Sequence, residues 1–469
     1  MIAQPLKWQF PMSWHERGDD EQFHTSRSTD RFSVSAPVQD WLPENHLARF
    51  IVEVIDRIDL TELTRQYAGR GSAAHHPAVL LGLLIYGYST GTPSSRKIER
   101  ATYDSVAFRY IAANTHPDHD TLANFRRRFG VQFEQLFVQV LMLAREMGML
   151  KMGKISVDGS KFKANASKHS ALSWGHIKKI EQQLRQEIQQ LMALAESEDR
   201  KKVPDGMDVP EEIARRETRL AALDEAKRKL EERAQERDAQ ARAEYESKLA
   251  KRQAKRDAGK KPSGKDPEPP TSGPQDKDQI NLTDEQSRIM KTGAGFDQCY
   301  NAQAAVDTDS MLIVASFVTQ AGNDSQQVKP MLEALERHQK QLGKPSHLLA
   351  DTGYFSAANV DACEDAGVTP LIAMKRSQHH EPVLERFSEP APLDDNADAL
   401  ATMAHRLKTR SGRADYGLRK QTVEPVFGII KHAMKFRQFL VRGVKHVGHE
   451  WNLVSLAWNI KRMNALKMA

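Results

Sequence analysis

The sequence predicts an α/β protein with an N-terminal all-α domain and a helical, coiled-coil-like insertion in its core. Three observations predict this fold class. Apolar residues recur at helical spacing through residues 41–152, two short β-rich runs further along each lead into an aspartate, and a long charged segment separates the two runs. Strands that alternate with helices are typical of α/β cores, so the charged segment is read as an insertion.

The composition describes a globular chain. Its 469 residues, 39% of them hydrophobic, allow two or three domains and a sizeable core. The two cysteines, Cys299 and Cys363, exclude a disulfide framework and a four-cysteine zinc site. The N-terminus lacks the order of a signal peptide, and the longest apolar run, residues 78–88, is too short to span a bilayer. We therefore expect a cytoplasmic protein without a membrane partner.

Positive charge is concentrated near the C-terminus. The net charge is +6 and the pI is near 9.0, but residues 406–467 contain fourteen Lys or Arg against three acids. A polyanion is the natural partner of such a segment. The alternative is a solvated basic face without a partner, but it does not explain why the one acid in the densest basic run is Glu424.

The N-terminal part divides in two. Residues 1–40 are polar, lack sustained periodicity and predict a loosely ordered arm. Residues 41–152 predict a compact helical domain with breaks near 69–71, 91–93 and 116–118.

One helix of this domain carries a run of arginines. Asp120 or Thr121 is expected to cap a helix that bears Arg126 and Arg127. Short helices that lead to an Arg-bearing helix suit insertion into a DNA groove, which makes both arginines candidate DNA contacts. A helical bundle without a DNA role is the alternative.

Two β-rich runs each lead into an acid followed by a turn former. The first, KISVDGSKF, contains Asp158 before Gly159, and the second, SHLLADTGYF, contains Asp351 before Thr352. This order predicts that each aspartate lies at the carboxyl end of its strand, where open sheets gather their reactive groups. For each aspartate taken alone, a turn or helix cap is the alternative.

A third acid lies in the run YGLRKQTVEPVFGIIK. In a continuous helix Glu424 and Lys431 are two turns apart and share a face. Pro425, however, disfavours the helical conformation of the residue before it, so the helix is instead expected to begin at Pro425 with Glu424 at its N-terminus. Three carboxylates, Asp158, Asp351 and Glu424, would repel one another unless a divalent cation lay between them.

The insertion is expected to be an antiparallel helical hairpin at residues 176–258, with a turn at 203–206, followed by a flexible linker at 259–279. It could dimerise or touch DNA, or be solvated and packed only on itself. After the linker, two strands at 296–307 and 311–319 precede a series of alternating helices and strands.

Several of these segments resemble one known family. ISVDGSKFKANAS, LLADTGYFS and YGLRKQTVEPVFGIIK are similar to the three catalytic boxes of bacterial insertion-sequence transposases of the DDE class, with the Tyr-Arg-Glu-Lys signature, in the group conventionally numbered eleven-eighty-two. GFDQCYNAQAAVD and the following Gly322-Asn323-Asp324 resemble that family too. The resemblance covers the chain from about Trp41 onward and implies a ribonuclease-H-like catalytic core at 153–175 and 280–469.

The resemblance also implies a site and a chemistry. Catalytic residues and metal ligands would be Asp158, Asp351 and Glu424, which would hold two Mg²⁺ ions (or Mn²⁺) roughly 4 Å apart. Residues that bind DNA phosphates would be Tyr416, Arg419, Lys420, Lys431 and Lys161. The family has an arginine four residues before the glutamate; here Lys420 holds that position and Arg419 precedes it, so either can be the phosphate contact.

The expected function is metal-dependent DNA strand cleavage at insertion-sequence ends and strand transfer into target DNA. The partner would be double-stranded DNA, at element ends and target, in the bacterial cytoplasm and associated with the nucleoid. Because two ends must be brought together, we expect a homodimer or higher assembly on DNA. Alternatives are a ribonuclease-H-like nuclease without strand transfer, a catalytically inactive DNA-binding protein derived from a transposase, and a helical scaffold.

Overall fold

A computed structural model describes most of the chain. The described residues are 41–67, 74–196, 207–259, 261–262, 264–293, 295–374, 388–393 and 397–468. The predicted arm at 1–40, the break at 69–71 and the turn at 203–206 lie outside the described residues. The chain forms two compact units, one built from the described residues up to Asn165 and from Met290 onward, and one from Ala166 to Ile289.

The first unit begins with helices. Those in the described part before the first strand are α1 Leu47–Ile55, α2 Thr61–Thr64, α3 Pro77–Thr90, α4 Ser95–Asp104, α5 Val106–Ile111, α6 His119–Arg128 and α7 Gln132–Glu146. The cap of α6 is Asp118, whose carboxylate accepts the Thr121 N–H at 2.7 Å. The predicted caps, Asp120 and Thr121, lie instead in the first turn, because Asp118 already has the extended backbone that an N-cap needs.

The sheet of this unit has β1 at its centre. The strands are β1 Lys154–Lys163, β4 Arg288–Thr292, β5 Gly295–Asp307, β6 Ile313–Thr319, β7 His347–Ala350 and β8 Thr369–Ile372. Their order is β4-β5-β1-β7-β8, and β6 pairs with β5. β1 is antiparallel to β5 and parallel to β7, which is parallel to β8.

Helices complete the first unit. They are α10 Val328–Glu336, α11 Gln339–Leu342, α12 Ala357–Asp365, α13 Ala399–Arg406, α14 Arg410–His432 and α15 Val444–Met468. An aromatic cluster joins the sheet to α14 and α15, because the Phe162 ring lies 6.3 Å from Phe427 and 5.2 Å from Trp451. The core that supports the candidate site lies between β1 and these two helices.

The second unit is a helical hairpin. It contains β2 Ala171–Ser173, α8 Trp174–Glu196, α9 Val209–Asp257 and β3 Gln279–Asn281. Lys227 pairs with Glu181 at 2.8 Å and Arg216 with Glu187 at 2.7 Å. The later residue of α8, Glu187, pairs with the earlier residue of α9, Arg216, so the two helices are antiparallel. The two apolar stripes in the sequence predict this arrangement. Among the described helices of the whole chain, none has the length and apolar character needed to cross a bilayer.

Candidate functional site

Asp158 lies within β1 and not at its end. The strand continues to Lys163, which corrects the prediction that Gly159 begins a turn. The reason is β5, which pairs with β1 in unbroken register from Ile155 to Lys163 and bonds the backbone beyond Asp158. A glycine after an apolar run therefore does not end a strand when a neighbouring strand continues to bond the backbone beyond it.

Asp351 directly follows β7, as predicted. Its carboxylate accepts the Gly353 N–H at 2.8 Å and caps a short 3₁₀ turn. β7 pairs in parallel with β1, and the last pair in register is Ser156 with Leu349. Asp158 lies two residues past Ser156 within β1, and Asp351 lies two residues past Leu349, directly after β7. The two aspartates are therefore neighbours at the edge where β7 ends and β1 continues.

The third acid, Glu424, lies in the middle of α14. Pro425 stands inside this helix, so the prediction that the helix begins there is wrong. A proline in a helix interior costs about 3 kcal/mol or more. Side chains on both sides of it, Val423 before and Phe427 after, are buried in the core, and this packing outweighs the lost hydrogen bond.

Arg419 is the cation that reaches the acids. Its guanidinium is only 9% exposed and lies 2.9 Å from Glu424 Oε1. It also hydrogen-bonds Tyr416, whose pKa is raised chiefly by burial. Lys420 is exposed on the same helix. The sequence allows either Arg419 or Lys420 to be the phosphate contact, and Arg419 is the one that lies beside the acids.

Asp158 carries the clearest electrostatic signal of the site. Burial, with the nearby charges of Asp351 and Asp324, raises the pKa of Asp158 to about 7. The Gly159 N–H, at 2.8 Å from Asp158 Oδ1, and the charge of Arg419 act in the opposite direction. The carboxyl is therefore only partly ionised near neutral pH, and added positive charge would favour its ionised form.

The three acids do not form a ready metal cage. Within the described residues, no group of three or more His, Cys, Asp or Glu side chains is arranged to hold a metal ion. Asp158 and Asp351 have the oxygen donors and the mutual repulsion that suit Mg²⁺. The predicted third ligand, Glu424, is 48% exposed and paired with Arg419 instead. The structure therefore pairs the third acid with a guanidinium, and the role of Glu424 as a metal ligand stays a prediction.

Lys431 meets β1 beyond Asp158. Its ammonium donates to Ser160 Oγ at 2.6 Å and lies 4.7 Å from the centre of the Phe162 ring. Burial lowers its pKa. Lys161 is partly exposed on the same strand. α14 thus presents Arg419 and Lys431 along the strand that carries Asp158.

The two arginines of α6 differ sharply. Arg127 is exposed, as a DNA contact must be. Arg126 is 9% exposed, donates to the Tyr88 hydroxyl at 2.9 Å and lies 3.7 Å from the buried Glu450. This contradicts its predicted place on a DNA-binding surface, because a buried arginine paired inside the protein is unavailable to phosphate.

One acid near the site has no predicted role. Asp324 affects the pKa of Asp158, and its carboxylate accepts hydrogen bonds from Asn301 and Gln303, both at 2.7 Å. The sequence signal for Asp324 is the run Gly322-Asn323-Asp324, which resembles the transposase family but does not itself indicate a role.

Two neighbouring aspartates beside a helix that carries the buried Arg419 and the half-buried Lys431 suit an α/β protein that acts on a phosphate-bearing chain. Two domain matches narrow this class. Residues 267–460 match the family described as Transposase DDE domain, and residues 36–128 match Transposase domain (DUF772). Together they support an insertion-sequence transposase and imply a nucleic-acid-cleaving enzyme. No curated protein and no solved structure matches the chain.

The two family matches do not cover all three candidate acids. Asp351 and Glu424 lie inside the DDE match, whereas Asp158 lies in the interval 129–266 between the two matched ranges. The parallel register of β1 and β7, and not the family match, is what joins Asp158 to the site.

Proposed function

We propose that this chain is a DDE transposase of the group conventionally numbered eleven-eighty-two, which cleaves DNA at insertion-sequence ends and transfers the strand into target DNA. The observation that supports the proposal is the parallel pairing of β1 with β7, which ends at Ser156 and Leu349, two residues before Asp158 and Asp351, together with the influence of Asp351 and Arg419 on the pKa of Asp158.

The strand order supports a ribonuclease-H-like core. Three neighbouring strands, β1, β7 and β8, are parallel, and β5 and β6 follow on the other side of β1 as antiparallel neighbours. In such a sheet the reactive groups gather where the central parallel strands end. Asp351 directly follows the end of β7, and Asp158 lies in β1 beyond the residues that pair with β7.

The metal fits part of the site. Asp158 and Asp351 would hold Mg²⁺ or Mn²⁺, and Glu424 would complete the ligand set. Bound there, divalent ions would stabilise the charge that develops on the attacking and leaving oxygens of a phosphodiester. The nucleophile would be water at the element end and then the freed 3′ hydroxyl at the target.

The cations of α14 would hold the DNA. Arg419 is paired with Glu424, and a DNA phosphate would offer the same fork-shaped guanidinium two acceptor oxygens in place of the carboxylate. Lys431 would bind a second phosphate as a point charge, with Lys161 and Lys420 at the margin. Tyr416, beside Arg419, would contact a backbone phosphate or a displaced base. We expect at least a dimer when two ends are paired.

The test uses the purified chain and a labelled duplex spanning the DNA that flanks its coding region, with and without Mg²⁺. The wild type is expected to nick the duplex at a fixed position only with metal. Asp351→Asn should abolish nicking and retain DNA affinity, while Asp361→Asn, an exposed acid on α12, should behave as the wild type. Equal loss of cleavage and affinity in Asp351→Asn would reject the assignment.

The pairing of Glu424 with Arg419 favours a second candidate, a DNA-binding relic of a transposase. Binding without cleavage under either metal condition would select it. Cleavage without any joined product in a strand-transfer assay would instead select a nuclease.

A further inference from the structure

A fourth acid lies behind the strand that carries Asp158. Successive side chains of a strand point to opposite faces, so Gly159 faces away from Asp158. A Cβ atom at Gly159 would lie 2.1 Å from Gln303 Nε2 and 2.5 Å from Asp324 Oδ1. Such distances leave no room for a side chain. The absence of one at residue 159 lets Asp324 approach the backbone of β1.

Asp324 is held by two buried amides of β5. Asn301 Nδ2 and Gln303 Nε2 both donate to Asp324 Oδ1 at 2.7 Å. The two amide side chains are 1% and 0% exposed. Asn301 Nδ2 also donates to the Ala321 carbonyl at 3.2 Å, so the loss of Asp324 would remove one bond from Asn301 and its acceptor from Gln303 Nε2, which is costly in a low-dielectric interior.

The same amide reaches the turn of Asp351. Gln303 Oε1 accepts the hydroxyl of Tyr354 at 2.5 Å, and Tyr354 is fully buried at the end of the 3₁₀ turn that Asp351 caps. Both ends of the Gln303 amide are therefore fixed, one by Asp324 and the other by Tyr354. A hydrogen-bonded chain thus runs from Asp324 through β5 to the segment that carries Asp351.

We propose that Asp324 is a positioning residue of the active site, which holds Gln303 and Tyr354 so that Asp351 stays in register beside Asp158. This inference rests on the proposed function. In it Asp324 acts through hydrogen-bond acceptance, so an asparagine, whose carbonyl oxygen also accepts, should replace it, and an alanine should not.

The test measures Mn²⁺ binding to the full chain without DNA, by titration calorimetry, together with metal-dependent nicking. Partners that orient metal ligands typically contribute 10–100-fold to metal affinity, so Asp324→Ala should weaken Mn²⁺ binding by about tenfold or more. Asp324→Asn should stay within about threefold of the wild type, since its geometry is conserved. Asp309→Ala, an exposed acid in the β5–β6 turn, serves as control and should change neither readout.

Tyr354→Phe removes a single hydroxyl from the same chain of hydrogen bonds. Tyr354→Phe should also weaken Mn²⁺ binding, as Asp324→Ala does. If the Asp324→Ala protein does not fold, Tyr354→Phe takes its place in the test. Unchanged Mn²⁺ binding and nicking in Asp324→Ala or Tyr354→Phe would overturn the inference. An equal loss of Mn²⁺ affinity in Asp324→Ala and Asp324→Asn would also overturn it, because Asp324 would then be a direct metal ligand. A wild type that neither binds Mn²⁺ nor nicks DNA would overturn the proposed function itself, and the inference with it.

Discussion

The two units differ in how deeply their most enclosed ion pairs are buried. The first unit buries charged groups: Arg126 and Arg419 are each 9% exposed in their side chains, and Glu450 is fully buried. In the described part of the hairpin unit the ion pairs are more exposed, with side chains 26% and 16% exposed for Lys227 with Glu181 and 56% and 46% exposed for Arg228 with Glu225. In the first unit, the buried pair of Arg126 and Glu450 therefore connects parts of the fold that are distant in sequence. In the hairpin, the ion pairs lie on the surface of helices that are stabilised chiefly by an apolar stripe.

The buried group in the first unit joins distant parts of the chain. Glu450 of α15 accepts the Tyr88 hydroxyl of α3 with one oxygen and the Leu440 N–H, at 2.8 Å, with the other. Arg126 of α6 donates to the same hydroxyl. Tyr88 and Arg126 belong to the N-terminal domain match and Glu450 to the DDE match, so this group connects the two matched regions.

The largest effect is expected at this group. Glu450→Ala would leave Arg126 charged and unpaired in the interior, and removing one partner of a buried pair costs about 3–5 kcal/mol. The free energy of unfolding from urea titration of the full chain should fall by that amount. A loss no larger than that caused by removing an exposed hairpin acid such as Glu232 would contradict the contrast between the units.

The next effect concerns the apolar stripe of the hairpin. Leu223 is 1% exposed and packs with Trp174, Ile177 and Leu230. Leu223→Ala should destabilise the hairpin by about 2–5 kcal/mol and accelerate amide hydrogen exchange in α8 and α9 only. Leu249→Ala, at a position 40% exposed on the same helix, is the control and should change little. Faster exchange in β1 or β7 would mean that the units do not stabilise themselves separately.

A smaller effect should follow pH, with opposite signs in the two units. The pKa of Asp158 is about 7 in the folded chain and ordinarily near 3.8, so the folded state binds more protons between these values. Its contribution to stability should therefore decline as pH rises from about 4 to 7. Glu225 in the hairpin has its pKa lowered to about 2 by hydrogen bonds from Arg228 and Lys229, so its contribution is lost only as pH falls below about 4.5, and solvent screening keeps that contribution small.

The measurement is the free energy of unfolding against pH for the wild type, Asp158→Asn and Glu225→Gln. Asp158→Asn should remove the decline above pH 4 and Glu225→Gln should alter only the acid side. Curves for Asp158→Asn that run parallel to the wild type would refute the raised pKa.

The smallest effect is expected at the hairpin surface. Arg228 pairs with Glu225 at 2.6 Å and with Glu232, but its side chain is 56% exposed. Exposed pairs gain little, because water and salt screen them. Arg228→Ala should leave the thermal midpoint unchanged within error at 0.15 M salt. A clear drop would show that surface pairs, and not the apolar stripe, stabilise the hairpin.

Local patterns predicted a good part of this molecule. The antiparallel hairpin followed from apolar residues that recur every three or four positions along two charged helices. Asp351 was predicted at a strand end, because an apolar run, an acid and a turn former occur in immediate succession. These features depend on neighbours within a few residues, which the sequence itself displays.

The features that only the tertiary structure decided depend on contacts between residues that are distant in the sequence. β1 continues past Asp158 because β5 bonds its backbone, and α14 continues through Pro425 because its buried face outweighs the lost bond. Arg126 is buried beside Glu450, more than three hundred residues away along the chain, whose carboxylate balances its charge at 3.7 Å. Propensity acts within a few residues, whereas burial and charge pairing act between any surfaces that the fold brings together.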